Sequence, residues 1–443
     1  MAGLSSYWRH AAIQGLLRAS RSGVPGRLAE FRELEQAPPD AIDEHRRLQL
    51  LALLRHCHAH VPFYRRQIES CDLDLSDNNF SIAELGKLPL LTKEMIHSEG
   101  PSLYSDDRQR RGAFRNSSGG STGKPVVFLQ DRAFHAQNVV AAKFIYNEFL
   151  GKAPGEPEIN LWGSERDISR GSLGAKQRLT NFIYNRRFQN FFLVDDNKLK
   201  RFVDEINAAQ PVSMWAYVEA IDLLAKFIRR NKLAVHSPRF IISTAGTLHT
   251  GIRNLAQKVF GCPVYNQYGS REFGAIAFEM QDQDGLRGLP YLNYTEVVDG
   301  KVVVTGLTNY SMPLLRYDIG DTAEPWTGPQ AGEFGCRRKV FKAITGRVHS
   351  HFKTANGELV HGLFFTQQFY FLDWVRQFQV VQERLDQIRC NLVLADEPVK
   401  ADMERIRTHI RAAMGENCEV EFEITEHIAP SASGKHLYTI CKV

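Results

Sequence analysis

From Ile42 to Ile68 the apolar residues recur at helical spacing, with Leu48, Leu51 and Leu54 and then Val61 and Tyr64 on one face of a predicted helix. Further along, the period alternates. Asn197 to Ala208 and Trp215 to Arg230 read as helices, Arg239 to Ser243 as a buried strand, Leu248 to Phe260 as a helix stopped by Gly261, and Val264 to Gln267 as a strand. Strands and helices in alternation build a largely parallel sheet. Asp299-Gly300, between Glu296-Val297-Val298 and Lys301 to Val304, then signals a two-residue hairpin, and Asn356-Gly357 signals another. The C-terminal stretch has its own pattern: strands near Phe378 to Val381 and Ile388 to Leu394, a helix at Val399 to Met414, and Cys418, Val420, Phe422 and Ile424 in strict alternation. Met403, Ile406, Ile410 and Ala413 give that helix one apolar face, and Gly415 sits where a C-cap belongs. The predicted fold is α/β: a large N-terminal domain of mixed sheets flanked by helices, residues 1–346, and a small α+β domain, residues 347–443, with the boundary at Gly346-Arg347.

A chain of 443 residues exceeds what one hydrophobic core usually serves, which agrees with more than one structural unit. With 43% hydrophobic and 24% charged residues, the composition is that of a folded globular protein and excludes a disordered one. Lys and Arg number 55 against 50 Asp and Glu, and the basic pairs (Arg110-Arg111, Arg186-Arg187, Arg229-Arg230) are scattered, so no nucleic-acid partner is expected. The seven cysteines include no Cys-x-x-Cys pair, which points away from a zinc site or a disulfide framework and towards the cytoplasm. No apolar run approaches the ~20 residues that span a bilayer. Before Glu30 there is no acidic residue, while Arg9, Arg18, Arg21 and Arg27 interleave with Leu4, Trp8, Ala11, Leu16 and Leu17. Such an N-terminal helix suits either packing on the body or weak contact with a membrane surface.

His56, His58 and His60 invite a metal reading, but spacing of i, i+2, i+4 cannot bring all three to one helical face. The most informative stretch is Asn116 to Pro125, Asn-Ser-Ser-Gly-Gly-Ser-Thr-Gly-Lys-Pro. Its three glycines let the backbone approach an anion, its hydroxyls donate hydrogen bonds and its lysine adds charge, so polyphosphate is the natural guest. It is not a Walker A loop. Aligned on Gly123-Lys124, the first glycine position holds Ser118 and the magnesium-binding hydroxyl position holds Pro125. Nor is there a dinucleotide fingerprint, because no two glycines in the chain are separated by a single residue.

This loop resembles the phosphate-binding loop of the acyl-adenylate-forming superfamily, in particular its phenylacetate-coenzyme A ligase branch and the capsule-biosynthesis-like members within it. Four further segments match in the family's order, so that the resemblance runs from about Leu48 to Val443. Tyr265 to Gly274 resembles the aromatic-glycine-glutamate motif, Arg316 to Asp321 the ribose motif, Ile344 to Arg347 the hinge motif, and Ser431 to Lys435 the catalytic lysine motif.

The resemblance implies ATP and Mg²⁺ as cofactors, coenzyme A as one candidate acceptor, and a small mobile C-terminal lid on an adenylation domain. By it, Ser117, Ser118, Gly119, Gly120, Ser121, Thr122, Gly123 and Lys124 would hold phosphates, and Glu272 with Thr122 would hold the metal. Ala245, Gly246, Tyr268 and Gly269 would line the adenosine site, and Asp321 would accept from the ribose hydroxyls. Trp162, Gly163, Ser164 and Tyr217 would meet a small carboxylic acid, while Lys435, Glu272 and Arg347 would act in catalysis. The pattern departs from the family at Arg271, where a hydroxyl residue is usual, at Asp318-Ile319, where Arg-Thr is commoner, and at Val348 to His351, where acidic residues usually follow the hinge. The expected activity is activation of the acid as acyl-AMP followed by transfer to a thiol, an amine or an alcohol. A non-catalytic nucleotide-binding scaffold and an adenylyltransferase whose AMP ester is the final product are the alternatives.

Overall fold

A computed structural model of the chain describes every residue except 1, 21–22, 119–125, 163–174, 192, 195, 247, 249, 329–338, 346–350, 370–371, 373, 395 and 429–437. The fold is α/β, with mixed sheets flanked by helices and a small α+β domain at the C-terminus. Two compact units form. The first comprises residues 1–118, 126–156 and 265–346, and the second is chiefly Pro157–Val264 and Arg347–Val443.

The first unit opens with helices α1 (Ala2–Ala19), α2 (Val24–Gln36), α3 (Pro39–His60) and α4 (Pro62–Ser70). Helix α1 buries Ile13 and Leu17 and leaves Trp8 and Leu16 exposed. The continuous helix predicted through Ile68 is in fact two. Pro62 forces Val61 into an extended conformation (φ −119°, ψ 104°), which ends α3, and the proline is then accommodated in the first turn of α4. The three histidines serve three places: His56 Nε2 lies 2.9 Å from the Tyr310 carbonyl, His58 bonds Glu69, and His60 bonds Asp106. Helix α5 (Lys93–Glu99) follows, capped by Thr92, whose hydroxyl accepts from Met95 N. Strands β1 (Phe114–Ser117) and β2 (Val127–Gln130) pair antiparallel. Helix α6 then runs through Arg132–Phe134, a π-helical segment at His135–Ala141, and Ala142–Phe149.

In the second unit β3 (Glu158–Trp162), α7 (Ala175–Ile183), β4 (Arg186–Asn190), β5 (Leu193–Val194), α8 (Asp196–Ala209), β6 (Ser213–Tyr217), α9 (Val218–Arg230), β7 (Phe240–Thr244) and α10 (Thr250–Phe260) succeed one another. The strands run parallel in the order β7-β6-β3-β4. Ile159, Leu161, Met214, Ala216 and Ile241 on these strands share a core with Phe202 and Ile206 of α8 and Leu224 of α9. The helix predicted from Trp215 starts only at Val218. Trp215 to Tyr217 complete β6, a strand buried between two neighbours, where apolar residues on both faces erase the alternation that would have marked it.

The chain returns to the first unit through β8 (Val264–Ser270), β9 (Gly274–Phe278), β10 (Leu286–Gly288), β11 (Asn293–Val298), β12 (Lys301–Gly306), β13 (Tyr317–Pro325) and β14 (Lys339–Ile344), an antiparallel set ordered β11-β12-β13-β14-β10-β9-β8. Asp299 (φ 52°) and Gly300 (φ 75°) make the predicted two-residue turn between β11 and β12. The C-terminal domain consists of the β15 (His351–Lys353) and β16 (Leu359–His361) hairpin, α11 (Gly362–Phe369), β17 (Val375–Arg384), β18 (Gln387–Leu394), α12 (Lys400–Met414), β19 (Glu419–Ile424) and β20 (Thr439–Cys441). Its main sheet is ordered β19-β18-β17-β20, and Ile406 and Ile410 of α12 bury against it.

Arg316 ties the antiparallel set to the N-terminal segment. Its Nη1 donates to the carbonyls of Gly86 (2.9 Å) and Leu88 (2.6 Å), while Nε and Nη2 reach Glu296 at 3.3 Å. A lysine keeps the charge but lacks the planar fork that serves three acceptors at once. Arg316→Lys is therefore expected to cost about 2 kcal/mol in denaturant unfolding, since it leaves half-buried acceptors unpaired.

Candidate functional site

The serine-glycine loop grows from a closed neck. Ser118 N donates to the Val126 carbonyl at 2.9 Å, and Ser118 Oγ accepts from Val126 N at 2.9 Å, so both ends of the loop are pinned where β1 and β2 part. Ser117 is the last residue of β1. Gly119, Gly120, Ser121, Thr122, Gly123 and Lys124 lie outside the described residues.

The turn between β8 and β9 is bound to that neck. Asn116 Nδ2 donates to Gln130 Oε1 (2.9 Å), Gln130 Nε2 donates to the carbonyls of Arg271 (2.6 Å) and Glu272 (3.3 Å), and Arg271 Nη1 reaches the Ser117 carbonyl at 3.4 Å. From the other side Asn138, in the π-helical segment of α6, donates to the Phe273 carbonyl at 2.9 Å and accepts from Thr308 Oγ1 at 2.5 Å. The turn leaves no space for side chains at its glycines. A Cβ on Gly269 would lie 2.4 Å from the Gly274 carbonyl oxygen; one on Gly274, which has φ +67°, would lie 2.6 Å from the Asn138 carbonyl oxygen. Arg271, the residue that departs from the family pattern, thus touches the root of the loop through one nitrogen of its guanidinium. Glu272 is 6% exposed, and among the described residues its carboxylate makes no ion pair or side-chain hydrogen bond.

On β8, three residues before Arg271, Tyr268 Oη donates to Asp321 Oδ2 at 2.7 Å. Asp321, on β13, is 5% exposed. The phenol takes up one of the roughly four acceptor positions of the carboxylate and so fixes its orientation. Next to it, Thr322 Oγ1 meets Thr345 Oγ1 at 2.8 Å and the Thr322 carbonyl accepts from Thr345 N at 2.8 Å, which fixes the chain just before Arg347. Asp318 is occupied locally, by Gly320 N and by Lys301.

In the second unit the carboxyl ends of the parallel strands carry the remaining described candidates. Trp162 ends β3, Tyr217 ends β6, and their rings lie 4.6 Å apart. Ala245 follows β7 in the left-handed conformation (φ 69°), which costs an alanine ~1 kcal/mol, and Gly246 comes next. Carboxyl ends of parallel strands are where open α/β sheets bind ligands. Gly163, Ser164, Arg347 and Lys435 lie outside the described residues. Gln130, Asn138 and Arg271, which assemble the site, were not among the sequence candidates; each is a polar residue in a segment that otherwise reads as strand, helix or motif filler.

The donor set suits Mg²⁺ carried by a nucleotide. Among the described residues no cluster of three or more His, Cys, Asp or Glu makes a preformed cage. Mg²⁺ needs none, because it commonly takes one or two protein carboxylates and completes its shell with water and substrate phosphates. Glu272, unpartnered among the described residues and on the turn that Gln130 binds, could offer one such oxygen donor.

Residues 352–442 match the CapK C-terminal domain. Over 381 residues the chain is 25% identical to Protein CapK of Staphylococcus aureus, covering 83% of this chain and 82% of that protein. The chain is a homologue of Protein CapK. It is also 23% identical over 307 residues to phenylacetate-coenzyme A ligase of Pseudomonas putida, covering 65% of this chain and 67% of that one. Among solved structures, 2-hydroxyisobutyryl-CoA ligase in complex with 2-HIB-AMP and CoA in the thioesterification state shares the fold, with a TM-score of 0.58 at 18% identity over 92% of this chain and 91% of that one. An open conformation of the same ligase gives 0.55 over 91% and 92%.

Two glycine substitutions, one at the β8–β9 turn and one at the β11–β12 turn, separate steric from conformational cost. Gly274→Ala forces a Cβ into the Asn138 backbone and is expected to cost about 2 kcal/mol or more in denaturant unfolding. Gly300→Ala, at a similar φ of +75° but with nothing within 4 Å, should cost only about 1 kcal/mol.

Proposed function

We propose that the chain is an adenylate-forming ligase, which activates a carboxylic acid with ATP and hands the acyl group to a thiol, an amine or an alcohol. The observation that carries this reading is the double attachment of the β8–β9 hairpin: Arg271 meets the root of the serine-glycine loop, and Tyr268 meets Asp321. Groups suited to phosphates, to a divalent cation and to a ribose thus share one hairpin, although they come from segments far apart in the chain. Homology to a phenylacetate-coenzyme A ligase, and a fold shared with a ligase that binds an acyl-AMP and CoA, support the same reaction class.

In the reaction a carboxylate oxygen bonds to the α-phosphorus of ATP, the bond from that phosphorus to the bridging oxygen breaks, and pyrophosphate leaves with the electron pair. An acceptor nucleophile then attacks the acyl carbon and AMP departs. No covalent intermediate with the protein is required, so positioning and charge stabilisation supply the catalysis. Ser117 to Lys124 hold the β- and γ-phosphates, Asp321 steadied by Tyr268 takes the ribose, and Ala245 and Gly246 border the adenine. Trp162, Gly163, Ser164 and Tyr217 receive the acid. Bound Mg²⁺, held by Glu272 and Thr122, would neutralise charge on the leaving pyrophosphate. Residues 1–346 form the adenylation domain, and residues 347–443 deliver Lys435 to the reacting oxygens, with Arg347 at the pivot. A reaction that draws on ATP belongs in the cytoplasm.

ATP–pyrophosphate exchange across a library of carboxylic acids, with hydroxylamine to trap the adenylate, tests the reading; silence with every acid would count against it. With a cognate acid in hand, Asp321→Ala should raise the KM for ATP much more than that for the acid. Tyr268→Phe, which removes one hydrogen bond, should raise it by about three- to tenfold. A change confined to the acid would dislodge the ribose assignment.

Lys435→Ala should lower pyrophosphate release by about 10²- to 10³-fold while leaving ATP affinity and unfolding midpoint nearly unchanged, because a donor that meets only the transition state adds little to ground-state binding. The mutant should still consume chemically supplied acyl-adenylate when the acceptor is present. Wild-type release would remove the lysine from the mechanism.

A further inference from the structure

Exposed large apolar side chains gather on α7 and on the strand it leads into. Leu179 and Phe182 are each 60% exposed, and Phe188 on β4 is 40% exposed. Leu179 and Phe182 stand three residues apart on a helix and so share a face. Helix α7 packs on β4, which is the terminal strand of its sheet. Asn185, in the left-handed conformation (φ 53°), makes the corner between the two elements.

Charge narrows the partner. From Ala175 to Asn190 the sequence holds Lys176, Arg178, Arg186 and Arg187 and no Asp or Glu. Arg186 is used internally, with Nε donating to the buried Glu158 at 3.0 Å. Arg178 and Arg187 are exposed, and among the described residues neither has an ion-pair or hydrogen-bond partner. Arg187 and Phe188, successive on β4, point to opposite faces, but β4 is the terminal strand and both border the same edge. Apolar side chains and cations unpaired among the described residues, gathered at that edge, complement a surface that is anionic outside and apolar beneath, which is a bilayer with acidic headgroups. A second copy of the chain would instead set cation against cation. Helix α1 is also basic and apolar, but it buries Ile13 and Leu17 within its own unit.

We propose that α7 and β4 form a peripheral docking surface for an anionic lipid membrane, inserting Leu179, Phe182 and Phe188 while Arg178 and Arg187 meet the headgroups. Among the described residues no helix is long and apolar enough to cross a membrane, so the attachment is interfacial and reversible.

The test is co-sedimentation of the full-length chain with vesicles of phosphatidylcholine alone and with vesicles containing roughly a third phosphatidylglycerol. Binding is expected with the anionic vesicles only, and it should weaken several-fold as salt rises from about 0.1 to 0.5 M. The double variant Leu179→Ser, Phe182→Ser should lower the partition coefficient by about tenfold or more. Arg178→Glu with Arg187→Glu should do the same without altering an apolar side chain, and its circular dichroism should match the wild type, which separates lost docking from misfolding. Absence of binding to anionic vesicles, or binding that survives both double variants, overturns the proposal. A dimer in sedimentation equilibrium that Phe188→Ser disperses, without vesicle binding, would assign the patch to a second copy and overturn it equally.

Discussion

The carboxamide of Gln130 is the joint on which the candidate site depends. It is 2% exposed, accepts from Asn116 and donates to two successive carbonyls of the β8–β9 turn. Those carbonyls flank Glu272, so its backbone path is set by a side chain lying 141 positions before Arg271 in the chain. A buried amide with both ends engaged costs little, whereas one with an end unpaired carries its full desolvation penalty. That asymmetry makes the joint specific: any other separation of hairpin and turn leaves a carbonyl or an amide group dry.

Around this joint, side chains position the backbone by binding its carbonyl and amide groups. Asn138 and Asn309 grip carbonyls of Phe273, Leu129 and Met312, and Asp131 accepts from Phe134 N and Tyr310 N. Of the two buried carboxylates, Asp321 accepts from the Tyr268 phenol, and Glu272 makes no ion pair among the described residues.

Much of the fold was legible because it is local. The Asp299-Gly300 turn, the single apolar face of Met403 to Ala413 and the helix ending at Phe260 follow from residues within one or two turns of each other. Where the reading failed, a local rule met a competing one. Pro62 outweighed a continuing helical period, and the two-sided burial of β6 disguised Trp215 to Tyr217 as helix. Within the site, Asp321 and Glu272 stood out by motif, but Gln130 and Asn138 did not. Their partners are main-chain carbonyls 135 or more positions distant, and a carbonyl has no sequence identity that could mark the pairing.

The π-helical segment in α6 sets a different kind of limit, on length rather than composition. It widens the helix over His135–Ala141, so that Asn138 reaches the Phe273 carbonyl while Tyr146, further along, donates to the carbonyl of Glu279 at 3.0 Å. These two anchors grip opposite ends of β9, a strand of fixed rise, and the wide turn supplies the phase that lets one helix satisfy both. Deleting a single residue from the regular α-helical stretch that follows, between Ala142 and Tyr146, would swing everything beyond it by roughly 100° about the axis. Point substitutions can drift through this helix one at a time, but an insertion or deletion would have to be matched in β9, which confines length variation among descendants of this chain to other places.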